Sequence, residues 1–259
     1  MGLGFTTCRL ARRLLLRGTP VFASARRISR YSALASIGLR LAEYGNKPDE
    51  FLPRGSVIVH TIPPLPEPEN SHLREYISAL RPRRVLYISS TSVYGPQTFV
   101  DSDSVISPNE EKGLRRVEEE NWLRSQDWST LIIRPAAIYG PGRGIHLRVR
   151  DGKAPRAAGA GLVSRVHVDD LAAVLEAGVF SELTGAWPLA DHLPATTDNI
   201  TDWCVRLLGV QGKGNPAPAI QTSGRSVSGE GIRGALKIKA AYPEYAAGIL
   251  ASLASEADL

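Results

Sequence analysis

A chain of 259 residues with 43% hydrophobic content has enough apolar material for a packed core in one large or two small domains. No apolar run reaches the roughly 18 residues that cross a bilayer, which excludes a membrane-spanning helix. Two cysteines, Cys8 and Cys204, are too few and too far apart for a disulfide framework or a zinc site, so a soluble protein of a reducing cytoplasm is expected.

The net charge is only +5, yet eight arginines precede the first acidic residue, Glu43. Three readings compete for this basic segment. A nucleic-acid-binding arm would be poorer in apolar residues, and no nucleic-acid partner is expected; an organellar transit peptide is rich in Arg and Ser and poor in acids, as this is. The third is a phosphate-binding βαβ unit. Gly2-Leu3-Gly4-Phe5-Thr6-Thr7 reads as the tight turn of a dinucleotide site, followed by a helix with Cys8, Ala11 and Leu15 on one face and Arg9, Arg13 and Arg17 on another, closed by Gly18. A Cβ in such a turn would block the approach of the backbone to pyrophosphate, while the helix amides favour negative charge. Gly2, Gly4, Phe5 and Thr6 are therefore candidate cofactor contacts, with Thr7 where the fingerprint has its third glycine. Pro20 to Ser24 follows as a strand and Ser29 to Gly38 as a helical stretch, an order that favours the βαβ reading.

A fingerprint of this kind follows a strand, and only Met1 stands before Gly2 in this sequence. In the order 3-2-1-4-5 the gap would be roughly 10 Å wide, with ladder groups unpaired on both sides. The expectation is a first strand missing from the chain, through a misassigned start or a truncation. Strand two ends at Ser24-Ala25-Arg26-Arg27 with no carboxylate for the ribose hydroxyls. Ser24, Arg26 and Arg27 suit a 2′-phosphate instead, which points to NADP in preference to NAD.

Gly38 to Glu43 reads as a third strand and Ser56 to Thr61 as a fourth, running into a proline-rich loop at Pro63. Asn70-Ser71 should cap a helix that buries Leu73, Tyr76, Ile77 and Leu80. Pro82 separates it from Arg84-Val85-Leu86-Tyr87-Ile88, a core strand that opens into Ser89-Ser90-Thr91-Ser92-Val93-Tyr94-Gly95. That hydroxyl-rich strand end is the candidate active-site edge, since ligands of open parallel sheets sit beyond the carboxyl ends of strands. A helix from about Glu110 to Ser125, a strand from Ser129 to Arg134, a helix begun by Asp169-Asp170, a strand from Gly185 to Asp191 and a helix from Thr197 to Leu208 with Ile200, Trp203, Cys204 and Leu207 buried complete the pattern. For Asp169 and Asp170, complementing the helix dipole is preferred to catalysis.

Ser-Ser-x-x-Val-Tyr-Gly after the core strand, Arg134-Pro135-Ala136-Ala137-Ile138-Tyr139-Gly140-Pro141-Gly142-Arg143, and Arg165-Val166-His167-Val168-Asp169-Asp170-Leu171-Ala172 together resemble the extended and atypical short-chain dehydrogenase/reductases, the NAD-dependent epimerase/dehydratase family. The resemblance runs from Gly2 to about Leu208. It implies an α/β, Rossmann-like doubly wound parallel sheet with a small carboxyl-terminal substrate lobe. The dinucleotide-binding domain would cover residues 1–139, and residues 140–259 would hold late Rossmann elements at about 166–190 together with the lobe. It also implies that Thr61 and Pro63 lie over the cofactor.

In the resembled enzymes a tyrosine four residues before a lysine supplies the proton, and a Ser or Thr at the strand end holds the substrate oxygen. Ser90 matches the oxygen-binding position. The tyrosine and lysine positions hold Lys112 and Arg116 here. Arginine can contact ribose or phosphate but cannot work as a titrating acid or base. Two readings stay open: an oxidoreductase or epimerase acting on a sugar nucleotide or another carbonyl or hydroxyl substrate, with Ser90, Lys112 and Arg116 in its site, or an NADP-binding sensor or structural protein without hydride chemistry. No metal is expected, and a homodimer is compatible with the sequence.

Overall fold

The computed structural model describes residues 2–25, 27–43, 52–153, 161–210 and 224–257. Arg26 lies outside them.

The organising strand is β4, Arg84–Ile88, buried at every position. It lies in a parallel four-stranded sheet of order β3-β4-β6-β9, with β3 at Val57–His60, β6 at Ser129–Pro135 and β9 at Gly185–Leu189. Strands covered on both faces are largely apolar, and β4 and β6 carry continuous hydrophobic runs at Val85 to Ile88 and Leu131 to Ile133. Leu86, Ile88, Leu131 and Ile133 turn to one face and pack on Leu10 and Leu14 of α1 (Phe5–Leu16) and on Leu171, Val174 and Leu175 of α6 (Val168–Val179). Val85, Tyr87 and Ile132 turn to the other and pack on Leu73 and Ile77 of α3 (Glu69–Ala79) and Leu123 of α4 (Glu111–Arg124). Helices on both faces of a parallel sheet are the doubly wound arrangement expected from the sequence.

Strand β1 (Phe22–Ala25) pairs in parallel with β2 (Arg40–Glu43) as a separate two-stranded sheet. Among the described residues no strand lies between β1 and β3. Beyond the main sheet, β7 (Ala137–Tyr139) pairs with β8 (Arg165–His167), and β5 (Phe99–Val100) pairs with β10 (Ser226–Val227). A further core of Tyr139, Val149, Ile200, Cys204 and Ile249 joins α5 (Ile145–Arg150), α7 (Thr197–Leu208) and α9 (Tyr245–Ala257). The short α8 (Glu230–Leu236) packs beside β9.

Four local expectations need correction. The buried face of α1 is Thr6, Thr7, Leu10, Ala11 and Leu14, with Cys8 and Leu15 at its margins, because Arg13 and Arg17 must both reach Glu176 on α6. Asn70 does not cap α3: the helix starts at Glu69, and the Asn70 side chain turns inward to accept from the Leu65 amide and donate to Glu119. The stretch from Ser29 to Gly38 is only a 3-10 turn at Ile28–Tyr31 and a four-residue α2 at Ser32–Ala35. Leu207 is 41% exposed, on the outer side of α7.

Candidate functional site

The turn before α1 is closed by its own side chains. Gly4 N–H donates to Thr7 Oγ1 at 2.8 Å, and that hydroxyl donates to the Gly2 carbonyl at 2.8 Å. Thr7, at the fingerprint's third glycine, thus serves as an internal tie. Thr61, just past β3, donates its hydroxyl to the same carbonyl at 3.4 Å, and Tyr31 donates to the Leu3 carbonyl at 2.9 Å. Gly4 is exposed, and a Cβ built on it would meet no heavy atom within 4 Å, so the helix opens toward free space at its positive end. No acidic residue stands in the first turn of α1.

Two distant segments converge on this helix end. Arg9 pairs with Asp169 at 2.9 Å, donates to the Pro141 carbonyl at 3.4 Å and lies over the Phe5 ring. Arg143 approaches the same ring, 5.5 Å from its centroid. The stretch from Arg134 to Arg143 and the start of α6 are therefore brought to the glycine turn. His167 caps α6 by accepting from the Asp169 amide, and Asp170 accepts from the amides of Ala241 and Tyr242, so both acidic residues have structural partners.

The second part of the site is the end of β4. Ser90 is half-buried, and its hydroxyl accepts from the Ser92 amide at 3.2 Å, capping the 3-10 turn Thr91–Tyr94. Gly113 of α4 seats this turn, because a Cβ there would stand 2.7 Å from the Ser92 carbonyl oxygen. Behind it lies a fully buried carboxylate. Glu120 accepts from Ser89 at 2.6 Å, from Arg134 at 3.0 and 2.6 Å and from Arg124 at 3.1 Å, while Arg134 also donates to Tyr94 Oη. Burial opposes the charge of Arg134, but Glu120 outweighs it and holds the guanidinium more basic than usual. Glu119, one residue earlier, is also buried and lies among His60, Asn70 and Arg74. Burial would raise its pKa, yet His60 and Arg74 bring it below the ordinary carboxylate range. Burial makes His60 less basic than usual, with Glu119 opposing.

No protein-family model matches the chain. Over 154 residues it is 33% identical to a 3-diazoavenalumate denitrifying reductase from Streptomyces sp., a match covering 54% of this chain and 51% of that protein, so the chain spans about half the length of the curated relative. Among solved structures, a functionally unknown conserved protein from Silicibacter pomeroyi DSS superposes with a TM-score of 0.83 at 24% identity, covering 97% of this chain and 96% of the other. An NAD-dependent epimerase/dehydratase, so described provisionally, from Methylobacillus flagellatus gives 0.76 at 24% identity over 98% and 96%. The fold is that of the NAD-dependent epimerases and dehydratases. UDP-glucuronic acid 4-epimerase from Bacillus cereus, solved with UDP-glucuronic acid and NAD, shares it with a TM-score of 0.79 at 14% identity over 98% and 96%.

On this epimerase/dehydratase fold the predicted site residues fall into two sets. Gly2, Gly4, Phe5, Thr6 and Thr61 gather at the α1 turn, with Ser24 buried beside it through a bond from the Leu3 amide to its carbonyl at 3.3 Å. Pro63 and Arg27 are exposed, and Arg26 lies outside the described residues. In the catalytic set, Arg116 donates to the Ile88 carbonyl at 2.8 Å and to Tyr87 Oη at 3.1 Å, holding the end of β4 from behind. Lys112 is exposed, with its Nζ 2.7 Å from Glu110. Neither nearby phenol is free to move a proton: Tyr87 and Tyr94 are buried, burial raises the pKa of each, and each is bonded to an arginine. Sequence reasoning missed Glu119, Glu120, Arg9 and Arg225. The last of these donates to Gln97 at 3.0 Å and to the carbonyls of Thr91 and Gly95, clamping the loop after β4.

Proposed function

We propose that the protein is a nicotinamide-dinucleotide-dependent oxidoreductase or epimerase acting on a carbonyl or hydroxyl carbon of a small molecule, with sugar nucleotides as the first class to test. The observation that carries this reading is the convergence of Thr61, Arg9 and the 140–143 turn on an α1 terminus with no acidic residue in its first turn. Gly4 leaves room there for a pyrophosphate, whose charge the helix amides would stabilise. Gly2, Gly4, Phe5 and Thr6 would hold the pyrophosphate, with Ser24, Thr61 and Pro63 around the adenosine and ribose. Arg27 and Arg26 would favour NADP over NAD through charge-assisted bonds to a 2′-phosphate. Bound nicotinamide supplies hydride transfer.

The chain's own part is binding and orientation. Ser90 would donate its hydroxyl to the substrate oxygen, held in position by the Ser92 amide and by Ser89, Glu120 and Arg134 behind it. Arg116 fixes the same strand end. Proton transfer falls to Lys112, whose ammonium would have to leave Glu110 to reach a substrate. The exposed Lys112–Glu110 pair also favours a second reading, a dinucleotide-binding protein without turnover. The test is a fluorescence titration with NADPH and NADH, followed by reduced-nicotinamide consumption with sugar-nucleotide and carbonyl panels. Binding with turnover supports the enzyme, binding without turnover the second reading, and no binding of either dinucleotide refutes both.

A further inference from the structure

The turn that borders the α1 terminus is held by a helix from the far end of the chain. Gly140 and Arg143 exchange both backbone hydrogen bonds, at 2.8 and 2.9 Å, so Pro141 and Gly142 form the tip of a tight turn. Proline followed by a glycine at φ +79° is the pattern of a type II turn, whose central peptide stands out from the chain and bonds outside the turn. Both ends of that one peptide are taken. Its carbonyl, from Pro141, accepts from Arg9 Nη2 of α1 at 3.4 Å, and its N–H, from Gly142, donates to Glu256 Oε1 of α9 at 2.7 Å. A single peptide group thus bridges α1 and α9.

Glu256 is itself fixed. Its carboxylate is 9% exposed, accepts from Arg150 Nη1 at 2.8 Å and lies 3.3 Å from His146 Nε2, both residues of α5. Burial opposes its charge, but the Gly142 amide, His146 and Arg150 outweigh burial and hold it below the ordinary carboxylate range. What the turn carries to the helix end is a cation. Arg143 is exposed, and its guanidinium lies 5.5 Å from the ring centroid of Phe5, the first residue of α1. Arg9, over the same ring, is paired with Asp169 at 2.9 Å, whereas no carboxylate among the described residues pairs with Arg143.

We propose, on the dinucleotide reading above, that Arg143 contacts the pyrophosphate bound at the α1 terminus and that Glu256 is a positioning residue, placing Arg143 there through the 141–142 peptide. Docking of α9 and binding of the dinucleotide then strengthen each other.

The test is a fluorescence titration of full-length variants with NADPH. Arg143→Ala and Glu256→Ala should each weaken binding at least about tenfold, the worth of one charge-assisted bond. The double variant should stay within about twofold of Arg143→Ala, because Glu256 acts through Arg143. Glu256→Gln keeps an oxygen for the Gly142 amide and should stay within about threefold of the parent. Removing a carboxylate beside an anion site would by charge alone strengthen binding, so a loss in Glu256→Ala reports position. Amide exchange at Gly142 should quicken at least about tenfold in Glu256→Ala, with β4 and β6 unchanged, and saturating NADPH should slow exchange in α9 of the parent. Parental affinity in Glu256→Ala, losses that multiply in the double variant, unchanged exchange at Gly142, or α9 exchange indifferent to NADPH overturns the positioning role. Parental affinity in Arg143→Ala overturns the contact. A parent that binds neither NADPH nor NADH removes the dinucleotide reading itself, while exchange at Gly142 still decides whether Glu256 fixes the turn.

Discussion

Replacing Glu120 by Ala should unfold a large part of the stability margin and loosen the strand end at Ser90. The carboxylate is fully buried and accepts from Ser89, Arg124 and twice from Arg134. Its removal leaves Arg134, itself 5% exposed, with Tyr94 as the side-chain partner of a buried charge. Breaking a buried pair from one side costs about 3–5 kcal/mol, whereas replacing both partners by apolar residues of similar size is often neutral. Domains are stable by only about 5–15 kcal/mol, so Glu120→Ala should lower the urea midpoint by a large fraction with little change in slope. Glu120→Gln, which keeps shape and loses charge, should fall between. The discriminating variant is Glu120→Leu combined with Arg134→Met, which should recover most of the loss in the urea melt. The reasoning fails if Glu120→Ala stays within about 1 kcal/mol of the parent, or if the double variant is as unstable as the two single losses added together.

Gly4→Asp places a carboxylate at an open helix N-cap, so α1 should be as stable as before or more so while dinucleotide affinity falls at least about tenfold; unchanged affinity in the fluorescence titration would move the pyrophosphate elsewhere. Arg27→Ala should weaken NADPH more than NADH, and an equal effect on both in parallel titrations would remove the 2′-phosphate reading. Burial pushes the Asp191 carboxyl up to about 7 against the opposing charges of Arg165 and Arg233. The native state then holds its proton more tightly than the unfolded state, so this contribution to stability is full below the unfolded value of about 3.9 and is lost as pH rises through about 7. Asp191→Asn should flatten that loss, and urea melts at pH 5 and pH 8 that differ equally in parent and variant would disprove it. Lys112→Tyr with Arg116→Lys should raise reduced-nicotinamide turnover if only the proton donor is missing, whereas parental turnover abolished by Lys112→Ala would make Lys112 the donor.

The framework was legible where burial is continuous in sequence. The strand from Arg84 announced itself because the run Val85 to Ile88 is apolar at every position, as a strand covered on both faces requires. Glu118-Glu119-Glu120 was not legible, since a run of acids reads as a solvated helix face. Its partners Arg134, Arg74 and His60 come from three other segments, and only the fold reveals that they neutralise two buried carboxylates. Asn70 misled for a related reason: its cap-like chemistry is spent on Leu65 and Glu119 inside the protein. Arg9 and Asp169 are each ordinary helix residues locally, and their 2.9 Å pair is purely tertiary.

On the proposed reading, the division of polar groups at the β4 edge leaves Ser90 as the residue to place against a substrate. Ser89 is committed inward to Glu120, Tyr94 is buried and bonded to Arg134, and Tyr87 is buried and bonded to Arg116. Each of these bonds removes a candidate from the chemistry while stiffening the backbone that carries Ser90. Arg116 donates from the same nitrogen, Nη1, to the Ile88 carbonyl and to Tyr87 Oη behind the strand. A scaffold of this kind is preorganised to hold an oxygen and poorly equipped to titrate it. Substrates whose reduction needs no proton from a phenol are therefore the ones this edge should handle best, and the carbonyl panel should be read with that order of reactivity in view.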